Sequence, residues 1–174
     1  VLAVSGNNQV PVFNFSNGAA TCSLSGLTIT KGENTGNGYG GGISNFGTLT
    51  VTNSTVSASH ALVAGGGISN DTGTLTLTNS TVINNSSSAG AGIYSQNGGT
   101  VNVTGSTISV NTSSGVGGGI YINTGSLALS ASTVADNTSS FSDGGGILYS
   151  GSGGQGAASK SSSQMGAGAG MIRC

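Results

Sequence analysis

Charge is what this chain has least of. Only 4% of its 174 residues are Asp, Glu, Lys or Arg, and the formal net charge is −1. A nucleic acid or an anionic membrane surface is held by clustered Lys and Arg, so neither is expected as a partner. Proline occurs once, at Pro11, and the 34 glycines have no period of three, which excludes collagen. The two cysteines, Cys22 and Cys174, stand near opposite ends and suggest no disulfide framework. There is no run of about 18 apolar residues, so no transmembrane helix is expected. The chain starts at Val1 without a charged and apolar leader, which fits a removed signal peptide or a fragment of a longer protein.

Side chains for catalysis and metal binding are scarce as well. The acids are Glu33, Asp71, Asp136 and Asp143, and the sole histidine is His60. Glycoside cleavage by acid/base chemistry needs two carboxylates about 5 to 10 Å apart. Asp136 and Asp143, flanking one turn, come nearest to that, but solvated turn residues are the plainer assignment. His60 lacks a partner acid or Cys in register along the sequence, so neither a triad nor a zinc site is expected. The Asp column of calcium-binding nonapeptide repeats is missing. Gly36-x-Gly38-x-x-Gly41 formally matches a dinucleotide-binding pattern, yet no helix pattern follows and no acid sits at the right distance. The expectation is a chain that is not an enzyme and holds no cofactor or metal.

What the chain does have is repetition. The apolar residue after each glycine cluster recurs as Ile43, Ile68, Ile93, Ile120 and Ile147, at spacings of 25, 25, 27 and 27. Three further columns step by 26: Leu49, Leu75, Val101, Leu127; Val51, Leu77, Val103, Leu129; and Val56, Val82, Ile108, Val134. Within Leu-Thr-Val-Thr the polar and apolar residues alternate, which marks strands. A disordered chain would carry more charge and would lack such columns. A fixed period near 26 with several short strands predicts a solenoid, because one repeat cannot bury its apolar face alone. The expected fold is all-β, a right-handed parallel β-helix with three short strands per coil.

The repeats resemble those of bacterial surface β-helices, in particular the polymorphic outer membrane proteins with their Gly-Gly-Ala-Ile and Phe-x-x-Asn motifs. Gly41-Gly42-Ile43 and its copies correspond to the first, with Gly90-Ala91-Gly92-Ile93 as a variant. Val82-x-x-Asn85, Ile108-x-x-Asn111 and Val134-x-x-Asn137 correspond to the second, with an aliphatic residue in place of Phe and Ser59 replacing Asn in the first copy. The resemblance covers roughly residues 20 to 150, and it implies a parallel β-helix exposed at a cell surface.

Taken in order, Val1 to Val4 and Val10 to Phe15 read as strands joined by a turn at residues 5–8, with Pro11 at a strand start where its missing N–H breaks no ladder. Residues 21–30 form a rung in which Cys22, Leu24 and Ile29 fall in the columns, so Cys22 is expected to point inward as a buried thiol. Residues 1–39 are N-terminal rungs, 40–150 the glycine-led repeats, and 151–174 a Gly/Ser-rich low-complexity tail. The columns continue near positions 154 and 156, both Gly, so the tail reads as a loose segment or as a cover for the last coil. The glycine clusters are expected where φ > 0 or close backbone approach excludes a side chain. Asn85, Asn111 and Asn137 are expected to form a stacked ladder, with glycan attachment as the alternative, since all three lie in sequons. Asn14, Asn53, Asn70, Asn79, Asn84 and Asn102 also lie in sequons.

Three functions from different classes are compatible with this pattern. A secreted or cell-surface structural or adhesive solenoid would bind a surface glycan or protein through many weak contacts, with outward Thr50, Thr52, Thr76, Thr78, Tyr94 and Tyr121 as candidates. Packing across neighbouring coils is the plainer role for the two tyrosines. An ice-binding solenoid would use the outward Thr-x-Thr pairs, although these decay to Asn102-x-Thr104 and Ala128-x-Ser130, and Thr is favoured on exposed strands anyway. A polysaccharide-cleaving β-helix rests on fold analogy alone. Weakly protected solenoid ends also suggest a homo-oligomer that stacks end to end into filaments.

Overall fold

The structure, a computed structural model, describes residues 1–141 and 143–150, and the backbone of the strands Gly156–Ser159 and Ser162–Gln164. It is a parallel β-solenoid of about six coils with no helix among the described residues. No helix long and apolar enough to cross a membrane is therefore present there. Every strand pairs in parallel with the equivalent strand one coil away.

Each full coil visits four sheets in turn. Sheet 1 begins at the glycine clusters, with strands such as Ile43–Asn45, Ile68–Asp71 and Ile93–Gln96. Sheet 2 is the broadest wall, with Thr48–Thr52, Thr74–Thr78, Gly99–Thr104 and Gly125–Ser130. Sheet 3 carries Thr55–Ser57, Thr81–Ile83 and Thr107–Ser109. Sheet 4 is short: Glu33–Asn34, His60–Ala61, Ser86–Ala89, Thr112–Val116 and Thr138–Ser139. The expected count of three strands per coil thus becomes four. Sheet 4 carries no apolar column by which to see it, because its inward residues are Asn34, Ala61, Ser87, Ser113 and Ser139.

The three apolar columns of sheets 2 and 3 and the isoleucine column of sheet 1 fill one interior. Ile43, Leu49, Val51, Val56, Leu75, Leu77, Ile93 and Ile108 are wholly shielded from solvent. Removing each such side chain from water is worth about 1.5–3 kcal/mol, so the stack rather than any single coil supplies stability. The unequal spacings are absorbed outside these columns. Between sheets 1 and 2 the step from the isoleucine to the first buried residue of the next strand grows from six positions at Ile43–Leu49 to eight at Ile93–Val101. In sheet 4 the register shifts between Ser87 and Ala89, where Ser87 faces Ser113 but Ala89 faces Val116.

The first glycine of each cluster has positive φ: 71° at Gly40, 67° at Gly65 and 66° at Gly144. The third lies against the next coil, where a Cβ on Gly67 would come within 2.6 Å of the Gly92 carbonyl and 3.0 Å of Asn85 Nδ2. Glycine is therefore required for both expected reasons, at different positions of one cluster.

At the N-terminus the strands are Leu2–Ser5 and Phe13–Phe15, and Pro11 precedes the second instead of opening it. Cys22 packs on the core from the coil-end strand Thr21–Ser25, but with no coil below it in sheet 2 it is half-buried, not buried as expected. Beyond residue 150, Gly156–Ser159 pairs with Gly125–Ser130 and places Gly156 beside Leu127 and Ala158 beside Leu129. The columns thus continue two residues later than the sequence suggests.

Candidate functional site

Turns between sheets are tied by polar ladders. Asn85, Asn111 and Asn137 form the expected one: Asn85 N donates to Asn111 Oδ1 at 3.0 Å, and Asn111 N to Asn137 Oδ1 at 3.0 Å. Their Nδ2 groups donate inward to the carbonyls of Val56, Val82 and Ile108. Ser59, the departure in the first copy, still joins the ladder, since its N donates to Asn85 Oδ1 and its hydroxyl accepts from Gly32 N. All three Asn are buried, as is Asn70, so in the folded protein these four sequons offer no accessible amide for a glycan.

Two more ladders carry no apolar signal and escape a search for hydrophobic columns. Ser54, Ser80, Ser106 and Ser132 link sheets 2 and 3, the backbone N–H of each of the first three donating to the hydroxyl one coil on. Asn45 Nδ2 donates to Asn70 Oδ1 at 2.7 Å beneath the sheet 1 to sheet 2 turn. These residues share the 25–26 spacing, which is the signal that could have found them.

The widest regular outer surface is that of sheet 2. Its register aligns Ser23, Thr50, Thr76, Asn102 and Ala128 in one row and Ser25, Thr52, Thr78, Thr104 and Ser130 in a second. A third row, Thr21, Thr48, Thr74, Thr100 and Ser126, begins one residue before the sequence repeat was expected to start. Rungs about 4.8 Å apart and alternate residues about 6.5 Å apart make this a near-rectangular array of hydroxyls and methyls. Around the corner, sheet 3 adds the unbroken row Thr28, Thr55, Thr81, Thr107, Thr133. Thr50, Thr52, Thr76 and Thr78 are all half-buried by their neighbours in the array.

The tyrosines lie on a different wall. Tyr94 and Tyr121 are adjacent in sheet 1, with ring centroids 5.4 Å apart and the planes tilted by 60°. Tyr39 packs on the other side of Tyr94 at 6.0 Å. Tyr94 is only 6% exposed, and it joins coils through its ring, between Tyr39 and Tyr121, while its hydroxyl donates to Gln96 Oε1 within its own strand. Burial first, and then the neighbouring Tyr39 and Tyr121, pushes its phenol above the ordinary tyrosine pKa of 10.0. Next to it, Asp71 accepts from Gln96 Nε2 at 2.7 Å and from Asn97 Nδ2 at 2.8 Å, which ties this acid to the following coil.

His60 does have an acid in register. The solenoid pairs His60 with Glu33 below and Ser86 above on the outer side of sheet 4. Nε2 lies 3.9 Å from Glu33 Oε1, and Nδ1 lies 2.9 Å from Ser86 Oγ. The expectation of an isolated histidine is corrected. Sheet 4 has no apolar column, so nothing in the hydrophobic pattern shows that residues 33, 60 and 86 share a register. Asp136 and Asp143 are both exposed, as solvated turn residues. No family model, curated protein or solved structure matches the chain.

Proposed function

We propose that this chain is a structural and adhesive solenoid of a secreted or cell-surface protein, and that it works through the outer face of sheet 2. The supporting observation is the third threonine row, Thr48, Thr74 and Thr100, which widens the paired rows into a flat face three residues across and five coils long. A rigid hydroxyl array without charge suits a hydroxyl-rich partner, such as a polysaccharide surface, bound through many weak contacts. The resemblance of the repeats to those of polymorphic outer membrane proteins supports placement at a cell surface.

The same third row favours ice as a second reading, since a water lattice is also met by regular hydroxyls and methyls. Two assays on purified protein separate the readings. Sedimentation with insoluble polysaccharides that is lost in Thr50→Lys/Thr76→Lys supports adhesion, whereas thermal hysteresis lost in the same variant supports ice binding. Neither activity in the parent protein would remove sheet 2 as the working face.

Self-association belongs to the same proposal. The first strands of sheets 1, 2 and 3, Phe13–Phe15, Thr21–Ser25 and Leu2–Ser5, have one open edge, with Leu2 and Val10 exposed beside them, whereas in sheet 4 Glu33 N already donates to Val10 O. A second copy added there would continue the ladders head to tail into a filament. Light scattering over a range of concentrations reads this directly. A strictly monomeric chain at high concentration would exclude it.

A further inference from the structure

Sheet 4 carries an outer column unlike any other: Glu33, His60, Ser86, Thr112 and Thr138, one residue from each coil. We propose that Ser86 is a nucleophilic serine with His60 as its base and Glu33 as the residue that positions the imidazole, an acyl-transfer site for small activated esters.

The constellation is held by the backbone of the solenoid. Ser86 N donates to Ser59 O at 2.9 Å and His60 N to Gly32 O at 2.8 Å, so the three carriers sit on hydrogen-bonded rungs. Each follows a ladder position directly: Glu33 follows Gly32, His60 follows Ser59 and Ser86 follows Asn85. Rigid rungs are what a catalytic constellation needs beneath it.

A carboxylate facing Nε2 favours the tautomer with its proton on that nitrogen. The Nδ1 lone pair then points at Ser86 Oγ, 2.9 Å away, within the reach required of a general base. The 3.9 Å from Nε2 to Glu33 is an ion-pair distance rather than a hydrogen bond, and such contacts tighten as charge develops on the imidazole. The site is open to solvent: the His60 side chain is 43% exposed and that of Glu33 22%. Thr112 stands one rung beyond Ser86 and offers a hydroxyl to an oxygen taking on negative charge.

In the step itself, Nδ1 takes the Oγ proton while Oγ bonds to the ester carbonyl carbon. As the carbonyl re-forms, the bond to the alcohol oxygen breaks and the alcohol leaves with the proton from Nδ1. Water, deprotonated by Nδ1 in turn, attacks the acyl-serine and releases the acid, with Oγ recovering its proton.

The experiment treats the full chain with a fluorophosphonate, in which Oγ–P bond formation expels fluoride, and maps the adduct by mass spectrometry. p-Nitrophenyl acetate hydrolysis is followed in parallel. The expected result is a single adduct at Ser86 that is absent in Ser86→Ala and in the heat-unfolded chain. His60→Gln should slow labelling by at least about 100-fold, with His60→Asn as the second variant if the first melts early. Glu33→Gln should lower the maximal rate of bond formation and leave the half-saturating probe concentration unchanged, which a purely structural role would not do. An adduct that is absent, that spreads over several serines, or that forms at the parental rate in the histidine variants overturns the proposal and leaves Ser86 a rung in a hydroxyl column.

Discussion

Sheets 2 and 4 face each other in kind: one wall is zipped by apolar side chains and the other by hydroxyls. Inside sheet 2 the residues are Leu49, Val51, Leu75, Leu77, Val101 and Val103, and the register from coil to coil is unbroken. Inside sheet 4 they are Ala61, Ser87 and Ser113, and the register slips between Ser87 and Ala89. A period-two apolar strand cannot slip by one residue without turning its whole buried set outward. A wall of small polar residues has less to lose. Ser113 Oγ shares its one proton between two carbonyls at the irregularity, Ser88 O at 2.7 Å and Val116 O at 2.9 Å, and accepts from Gly115 N.

The outer surfaces differ in the same sense. Sheet 2 repeats Thr along three rows, whereas sheet 4 strings five residues of four types along one. Repetition suits an extended partner. Variation in register is what places unlike groups such as Glu33, His60 and Ser86 side by side.

The comparison breaks most sharply at Leu77. Leu77→Asp places an unpaired carboxylate inside sheet 2 and should cost on the order of 4 kcal/mol or more, enough to unfold the chain or lower its melting temperature by many degrees. Melting within about a degree or two of the parent would contradict the stated register.

Next come the polar ladders. Asn111→Ala orphans the buried Asn85 N–H and the Val82 carbonyl, for about 2–3 kcal/mol. Ser113→Ala, on the sheet 4 wall, removes one hydroxyl proton and the acceptor of Gly115 N–H, while the Val116 carbonyl keeps the Gly90 N–H, and should cost about 1 kcal/mol. Denaturant titration of the two variants measures the difference between a turn ladder and a slipped wall. Equal losses would mean that sheet 4 is as tightly specified as the rest.

A smaller effect is expected at high pH. Burial holds the Tyr94 phenol above 10.0, so the folded protein keeps a proton that the unfolded chain releases. The stability this confers is complete below pH 10.0 and is lost as pH rises through the folded value. Thermal melts should therefore weaken more steeply above pH 10 in the parent than in Tyr94→Phe. Parallel curves would show that Tyr94 titrates as an exposed phenol.

The smallest change in stability is expected on the outer face of sheet 2. Thr76→Val keeps the β-branched shape, so the melting midpoint should shift by no more than about 0.5 kcal/mol equivalent. Any loss of surface binding in that variant then reports on the hydroxyl itself.

Residues 43, 49, 51 and 56 with their copies made most of the fold legible, because burial of apolar side chains leaves a periodic trace in one dimension. The recurrence of Asn85, Asn111 and Asn137 at one turn likewise pointed to their ladder, and Tyr94 takes the plainer of its two expected roles, packing between coils. Sequence by itself determined that this chain stacks, with what period, and which Leu, Ile and Val face inward, since the hydrophobic pattern admits one register. Only the tertiary structure decided the fourth wall, the third threonine row and the company of His60. Those features depend on which polar residues, 25 to 27 positions apart, meet across a rung, and hydrogen bonding and exposure leave no apolar mark by which to align them.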